Sequence, residues 1–253
     1  MAPSYNTMEM MICVAARYLE DGKTVAVGTG APCAAAMLSQ KTQSPNLVIL
    51  FEAGGISPLL PQMPISVGDS RTFFRAVMAA GMTEMMTTCS RGLVDYAFLG
   101  GAQIDKYGNI NSTVVGPHHK PKVRFPGSGG ACDAGSLASA VIIFIQVGKK
   151  RFVKKLDYLT TPGWLTGGDS REKAGYVRGG PLAVVTNKGI MKFDETTKEM
   201  YLAEYYPGVS VEDIAARIDF EIDTSRAVRS DPPTWHELLT LREKVDPQRL
   251  ILG

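Results

Sequence analysis

The sequence predicts an α/β fold, with an open, largely parallel sheet and helices on both faces. Three observations predict it. Short apolar runs recur at Thr24–Gly28 (TVAVG), Asn46–Phe51 (NLVILF) and Val94–Leu99 (VDYAFL), with the length and composition of buried strands. Segments with apolar residues at helical spacing lie between them. The runs lead into glycines: Gly28, the pair Gly54–Gly55 beyond Glu52, and Gly100–Gly101. Strands that alternate with helices close into a parallel sheet covered on both sides, and chemistry then gathers at the carboxyl ends of the strands.

The elements follow in order. Thr7 is placed to cap a helix running to about Glu20 and stopped by Gly22. Gly30 and Pro32 turn the chain into a helix over Ala34–Gln40, and Asp69 or Ser70 opens one through Phe73, Phe74 and Met78. From Asp105 the texture changes. DKYGN (Asp105–Asn109) is a turn between two extended runs, and Pro117–Gly130 is a loop rich in Gly, Pro and basic residues. Small residues after Cys132 can begin a helix. Strands are expected near Ala140–Val147 and Leu182–Thr186, and Lys188–Gly208 forms a hairpin turning at Asp194–Lys198. Capping-box patterns at Ser210–Asp213 and Thr234–Glu237, the latter after Pro232–Pro233, start two late helices. With no internal repeat or linker, one domain over residues 1–253 is expected, with a helical tail from about 209.

Composition bounds the function. The 253 residues are 45% apolar and 21% charged with a net charge of +2, which excludes global disorder and gives no basic excess for nucleic acid. The longest apolar run, Ala140–Ile145, is far short of the roughly 20 residues that span a bilayer. No secretory pattern opens the chain, and a cytoplasmic location is expected. Cys13, Cys33, Cys89 and Cys132 form no CxxC pair, which argues against a zinc or redox motif, and the first two lie in apolar stretches as core thiols. Walker A, HExxH and GxSxG patterns are absent, and Gly28-Thr29-Gly30 lacks the third glycine of a dinucleotide fingerprint.

Three segments can carry chemistry. Glu52 follows an apolar strand and precedes Ala53-Gly54-Gly55, so a bulky substrate can approach a carboxylate backed by core; a carboxylate can act as a nucleophile. The same residue could instead sit in a salt bridge or cap a loop. Gly100 to Ser112 offers backbone amides at a strand end for an anion, with Gly100, Gly101 and Gln103 as candidates for coenzyme binding and Asn109 and Asn111 as amide donors. Asp105, Gly108 and Asn109 also satisfy plain turn geometry. In Phe125–Asp133, Gly129 and Gly130 could form an oxyanion hole or a flexible surface loop. His118 and His119 read as a solvated pair. The run Lys149–Lys155 reads as a charged face, able to meet phosphates or a companion chain. Trp164 reads as a packing anchor near an interface, and His236 as exposed.

Several stretches in this order resemble one family: FEAGG with SVGDSR downstream, GGAQIDKYGNINST, HHKPKVRFPGSGGA, KKRFVKKLDYLTTPGW and KGIMKFDETTKEMYLAEYYPG. The chain resembles the beta (B-type) subunit of glutaconate-type class I CoA-transferases over nearly its whole length. The resemblance implies that family's open α/β fold and coenzyme A as an acyl-CoA substrate, with no metal. It implies ping-pong transfer through a glutamyl-CoA thioester on Glu52, Gly54 nearby, Gly129 and Gly130 near the oxyanion, and Asn109 and Asn111 near the substrate. It implies a separate A-type subunit in a heterotetramer or larger hetero-oligomer, with this chain inactive alone. Close glutaconate-type sequences have Glu-Ser-Gly where this one has Glu52-Ala53-Gly54, and the Ser-Glu-Asn-Gly of 3-oxoacid branches is absent, which argues against a 3-oxoacid substrate. Two alternatives stay open: a CoA-ester hydrolase or decarboxylase on the same fold, in which the family glutamate is typically replaced, and a non-catalytic CoA-binding subunit.

Overall fold

The computed structural model describes residues 4–176 and 178–253. In chain order the elements are α1 (Thr7–Ala16), β1 (Thr24–Val27), α2 (Ala31–Lys41), β2 (Val48–Phe51), β3 (Gly55–Ile56), β4 (Met78–Ala79), α3 (Met82–Ser90) and β5 (Tyr96–Gly100). Then come β6 (Gln103–Ile104), β7 (Ile110–Asn111), β8 (Val114–Val115), β9 (Val123–Arg124), α4 (Ala131–Leu137), β10 (Ala140–Phe144) and α5 (Ser170–Lys173). The last are β11 (Pro181–Val185), β12 (Gly189–Phe193), β13 (Met200–Tyr205), α6 (Val211–Ala215), β14 (Val228–Arg229) and α7 (Trp235–Thr240). The chain divides into two compact units, Met1–Phe98 with Pro232–Gly253, and Leu99–Asp231. The expected helical tail from about 209 divides between them and includes the strand β14.

In the first unit the strands run in the order β5-β1-β2-β3-β4. β1 is parallel to both β2 and β5, as the strand–helix alternation requires, and β3 and β4 add antiparallel edges. The helix α1 is buried almost all round, from Glu9 to Ala16, and packs on α2. Met10, Ile12, Met37, Leu38, Ile49 and Phe51 form the centre of this core. The N-cap of α1 is Asn6, not Thr7: its side chain accepts from Glu9 N–H while the Glu9 carboxylate accepts from Asn6 N–H. The helix also ends at Ala16, four residues short of the expected Glu20, because the Tyr18 and Leu19 amides tighten onto Ala15 and Ala16. The helix expected through Phe73, Phe74 and Met78 is a single 3-10 turn over Ser70–Phe73; Phe74 is already extended, and Met78 pairs with Ile56 in the sheet. The helix α3 was not among the elements expected from the sequence.

The C-terminal segment is fastened to α1 by two bidentate pairs. Arg242 grips Glu9 at 2.6 and 2.9 Å, and Arg17 grips Glu237 at 2.8 and 2.9 Å. Burial pushes the Glu9 carboxyl up, but the Arg242 guanidinium and the Asn6 N–H outweigh it and hold it below the ordinary carboxylate value. A depressed folded-state pKa contributes stability that is complete above the unfolded value and lost as pH falls through the folded one. Glu9→Gln is therefore expected to destabilise at pH 7 by about 2–4 kcal/mol, since it leaves Arg242 without its partner. The gap to wild type should narrow as pH drops below about 4.5. Urea unfolding across pH 7 to 3.5 checks this, and a gap independent of pH would refute it.

In the second unit the order is β14-β13-β12-β11-β10. β10 and β11 are parallel, and β12–β13 is the expected hairpin. Its turn is held by the Asp194 carboxylate, which accepts the N–H groups of Thr196 and Thr197. Ile104, Ile143, Phe152, Val184, Met191 and Leu202 are buried together beneath it. The two late caps form: Ser210 accepts from Asp213 N–H, and Thr234 and Glu237 make a full capping box. In the first of these the box stays half made, because Asp213 turns instead to Lys188 and Arg217. Pro117–Gly130 is not all loop, since β9 pairs with β8. Among the described residues no helix is long and apolar enough to cross a membrane.

Candidate active site

Glu52 stands at the carboxyl end of β2, whose Ile49, Leu50 and Phe51 are buried. The Gly54 amide donates to the Phe51 carbonyl at 2.9 Å, closing a tight turn with Glu52 and Ala53 at its centre. The chain then doubles back as β3, with Ile56 opposite Leu50. Gly54 has φ +114°, and a Cβ there would come within 2.0 Å of the Ala80 carbonyl oxygen. Only glycine lets the 72–80 segment abut this turn. The Gly54 N–H is consumed by the turn, so the expectation that Gly54 binds substrate or an oxyanion reduces to its backbone shape. Glu52 is half-buried, and among the described residues its carboxylate has no hydrogen-bond or ion-pair partner. The salt-bridged and capping alternatives for Glu52 are therefore absent. A partnerless carboxylate at a strand end, over an apolar floor, keeps both oxygens free to attack an electrophile.

In the second unit β6 and β7 flank the Asp105–Asn109 turn. One Asp105 oxygen accepts from the N–H groups of Tyr107 and Asn109, and the other from Asn109 Nδ2. Burial pushes the Asp105 carboxyl up against these donors. Asn109, 5% exposed, also donates to the Leu165 carbonyl and accepts from the Gly163 and Leu165 amides. Asn111 is fully buried; its Nδ2 donates to Gln103 Oε1 and the Val114 carbonyl, and its Oδ1 accepts from Thr113 and Val114 N–H. Gln103 Nε2 donates to Asp157, and Gln103 Oε1 also accepts from Asp157 N–H. These bonds engage the side-chain amides of Asn109, Asn111 and Gln103 in joining loops together, because a buried amide must find partners inside the fold. Gly101 is needed for packing, as a Cβ there would fall 2.2 Å from Ile110 Cγ2, whereas Gly100 is exposed at the end of β5.

The glycine segment behaves differently. Gly129 is exposed with φ +50°, and Gly130 caps α4 with no side-chain bond. Among the described residues the amides of Gly129 and Gly130 have no protein acceptor, while the next amide, Ala131 N–H, donates to the Ser128 carbonyl. Two free backbone donors in sequence suit an oxyanion or another anion. The far end of α4 is anchored by Arg171, which no sequence motif marks. This guanidinium is 3% exposed, has no carboxylate partner among the described residues, and donates to the carbonyls of Gly135, Ser136, Pro162, Gly163 and Arg178. It also lies over the Tyr176 ring. A single arginine in GDSREKAG carries no signal of such a role, because its partners are backbone atoms, several of them far away in sequence.

The remaining candidates fall outside these constellations. His118 and His119 are exposed on the hairpin tip between β8 and β9, and His118 stacks on Tyr158. Lys149, Lys150, Arg151, Lys154 and Lys155 are exposed. Trp164 packs on Gly180 and donates to the Pro181 carbonyl, and His236 is exposed. Burial pushes the Cys13 and Cys33 thiols up to about 12, in keeping with core roles. Among the described residues no group of three or more His, Cys, Asp or Glu is gathered to hold a metal.

Comparison with known proteins places this geometry in a family. The family model for coenzyme A transferase matches residues 8–217. The B-type subunit of the glutaconate CoA-transferase of Acidaminococcus fermentans is 40% identical, over 96% of this chain and 94% of its own. The B-type subunit of the 3-oxoadipate CoA-transferase of Pseudomonas knackmussii is 36% identical, over 94% and 93%. The crystal structure of glutaconate coenzyme A-transferase from A. fermentans superposes with a TM-score of 0.95, covering 100% of this chain and 99% of that one at 38% identity. A family-model match over most of the chain, a fold match over all of it and a free strand-end glutamate agree: this chain belongs to the coenzyme A transferase family, in its class I branch.

Proposed function

We propose that this chain is the nucleophile-bearing subunit of an enzyme that moves CoA between an acyl-CoA and a dicarboxylic acid. The observation that carries this is the partnerless carboxylate of Glu52 at the end of β2. A Glu52 oxygen attacks the thioester carbonyl carbon; the C–S bond breaks and the CoA thiolate leaves, giving a mixed anhydride. The thiolate then attacks the glutamyl carbonyl carbon; the anhydride C–O bond breaks, the donor carboxylate departs, and Glu52 holds CoA as a thioester. An incoming carboxylate runs the same steps in reverse and leaves as the new acyl-CoA. Each exchange conserves an activated acyl bond, so no external energy source is needed. The Gly129 and Gly130 amides, free of protein acceptors among the described residues, are the candidates that the family resemblance implies as oxyanion donors. Asn109, Asn111 and Gln103 hold the loops of their own unit in place. Binding energy from the distant CoA moiety can be used at the reacting carbon.

The dicarboxylate assignment rests on both relatives being named for dicarboxylates, glutaconate and 3-oxoadipate. The second of them removes the motif argument against 3-oxo acids, because a 3-oxoadipate relative is nearly as similar as the glutaconate one. Both names also imply an A-type companion chain. A surface for it lies just beyond the Glu52 turn, where Leu59, Ile65, Phe74, Val77, Met78 and Met82 are exposed, Val77 at 83%. Apolar side chains concentrated on one stretch mark a surface that a partner covers. Val77→Asp is expected to weaken association with the A-type chain by about tenfold or more while leaving the melting temperature of the isolated chain unchanged. Sedimentation of the mixed chains checks this, and unaltered association would exclude this surface.

The central test is CoA exchange between acetyl-CoA and a panel of dicarboxylates, with this chain co-expressed with its A-type partner. Exchange that requires an acceptor, with a CoA-mass adduct on Glu52, is the expected result. Release of free CoA at the same rate with and without acceptor would mean hydrolysis and sink the proposal. CoA binding with neither adduct nor exchange would mean a non-catalytic subunit.

A further inference from the structure

The segments 117–124 and 149–155 hold eight of the chain's 27 Lys and Arg and no Asp or Glu. Among the described residues none of these eight cations forms an ion pair, whereas basic residues elsewhere make ten. The first segment is the outer part of a small ribbon, with Val114 opposite Arg124 and Val115 opposite Val123. Lys120, Lys122 and Arg124 are all exposed on it. By strand alternation Lys122 and Arg124 share a face. The ribbon is not loose. Arg124 donates to the His118 carbonyl, and Gly116 N–H donates to the Asp157 carboxylate. The same Asp157 carboxylate is gripped by Gln103. The His118 ring stacks on the exposed Tyr158 ring at 5.4 Å between centroids. The result is a surface whose Lys120, Lys122 and Arg124 make no ion pair among the described residues, with an aromatic face beside them, held by the exposed Asp157 carboxylate and the buried Gln103.

The geometry points to this ribbon, Lys120, Lys122 and Arg124 with the His118–Tyr158 stack, as the binding site for the phosphorylated nucleotide end of CoA. This deepens the proposed function and rests on acyl-CoA being the substrate. That end of CoA carries about four negative charges on its diphosphate and 3′-phosphate at neutral pH, with a purine beside them. Clustered, unpaired lysines and an arginine attract such a polyanion, and an aromatic face accepts a base by stacking. A like-sized cluster serving only solubility would not need Gln103 and Asp157 to fix its backbone.

The test uses the complex with the A-type chain. Calorimetric titration with CoA, dephospho-CoA and 3′,5′-ADP is paired with kinetics on acyl-CoA and on the matching acyl-pantetheine, which lacks the nucleotide. The double variant Lys120→Glu/Lys122→Glu is expected to raise KM for acyl-CoA about tenfold or more and to erase the preference for CoA over dephospho-CoA, with acyl-pantetheine turnover unchanged. The milder Lys120→Gln/Lys122→Gln should fall between, and guards against a folding defect. Unmoved KM and CoA affinity in both variants would overturn the assignment. So would loss of the A-type chain on gel filtration, with both substrates failing together, since the ribbon would then be a protein interface. If wild type binds CoA and the variants do not, yet no acceptor ever receives CoA, the site stands and the transferase reading falls.

Discussion

Glu52→Gln is expected to lower CoA transfer by on the order of 10³-fold or more, because the amide cannot attack a thioester. Stability should stay within about 0.5 kcal/mol of wild type, since the side chain has no hydrogen bond or ion pair to lose. The turn around it is made by backbone, through Gly54 N–H and the Phe51 carbonyl. Glu52→Asp keeps the charge but withdraws it by one methylene. It should lose transfer to a comparable extent and divert part of the remaining activity to hydrolysis, because a misplaced carboxylate can still orient water. The exchange assay, the intact mass after exposure to acyl-CoA and the melting temperature check these three statements together. Transfer retained by Glu52→Gln would remove Glu52 as the nucleophile whatever the family resemblance.

Arg171→Met should have the largest effect on stability, a loss of about 3–5 kcal/mol. The methionine fills much of the volume but leaves the carbonyls of Gly135, Ser136, Pro162, Gly163 and Arg178 without their donor. A buried acceptor stripped of its partner bears its full desolvation cost, so five acceptors on one side chain make this the most concentrated dependence in the second unit. The chain has two tryptophans, Trp164 in the second unit and Trp235 in the first, so single-tryptophan variants report on the units separately. Urea unfolding followed at Trp164 should shift strongly, and a loss below about 1 kcal/mol would show that water replaces the guanidinium. A second effect follows from position. Arg171 holds the carboxyl end of α4, the helix that begins at Gly130, so conditions that keep Arg171→Met folded should still show weakened binding of acyl-CoA.

Much of the fold was legible because its signals are local. NLVILF and TVAVG are apolar runs with strand composition, and both are strands. Thr234 with Glu237 makes the capping box that its spacing announces, and Asp194 closes the hairpin that its turn residues announce. The place of Glu52 at a strand end was legible for the same reason, as a charge between an apolar strand and Ala53-Gly54-Gly55. What local signals did not carry was partnership. The stretch from Asp69 to Met78 has helical composition, yet Met78 is extended because β3 offers it a ladder. The tail beyond 209 divides because Glu9 and Arg17 draw Arg242 and Glu237 to the first helix.

The amino-acid sequence alone thus determined the strand–helix alternation, the strand-end carboxylate and the Gly54–Gly55 pair that follows it, since each depends on residues a few positions apart. Tertiary structure decided which polar groups remain available for chemistry. Asn109, Asn111 and Gln103 look like ligands in one dimension and are consumed by loop contacts in three; the partners of Asn109 and Gln103, at Gly163, Leu165 and Asp157, lie more than fifty positions away. Glu52 and the lysines of the 117–124 ribbon are left unpaired by the same fold. Burial obliges a polar group to find a partner inside the protein, and only the folded chain shows which groups were spared that demand.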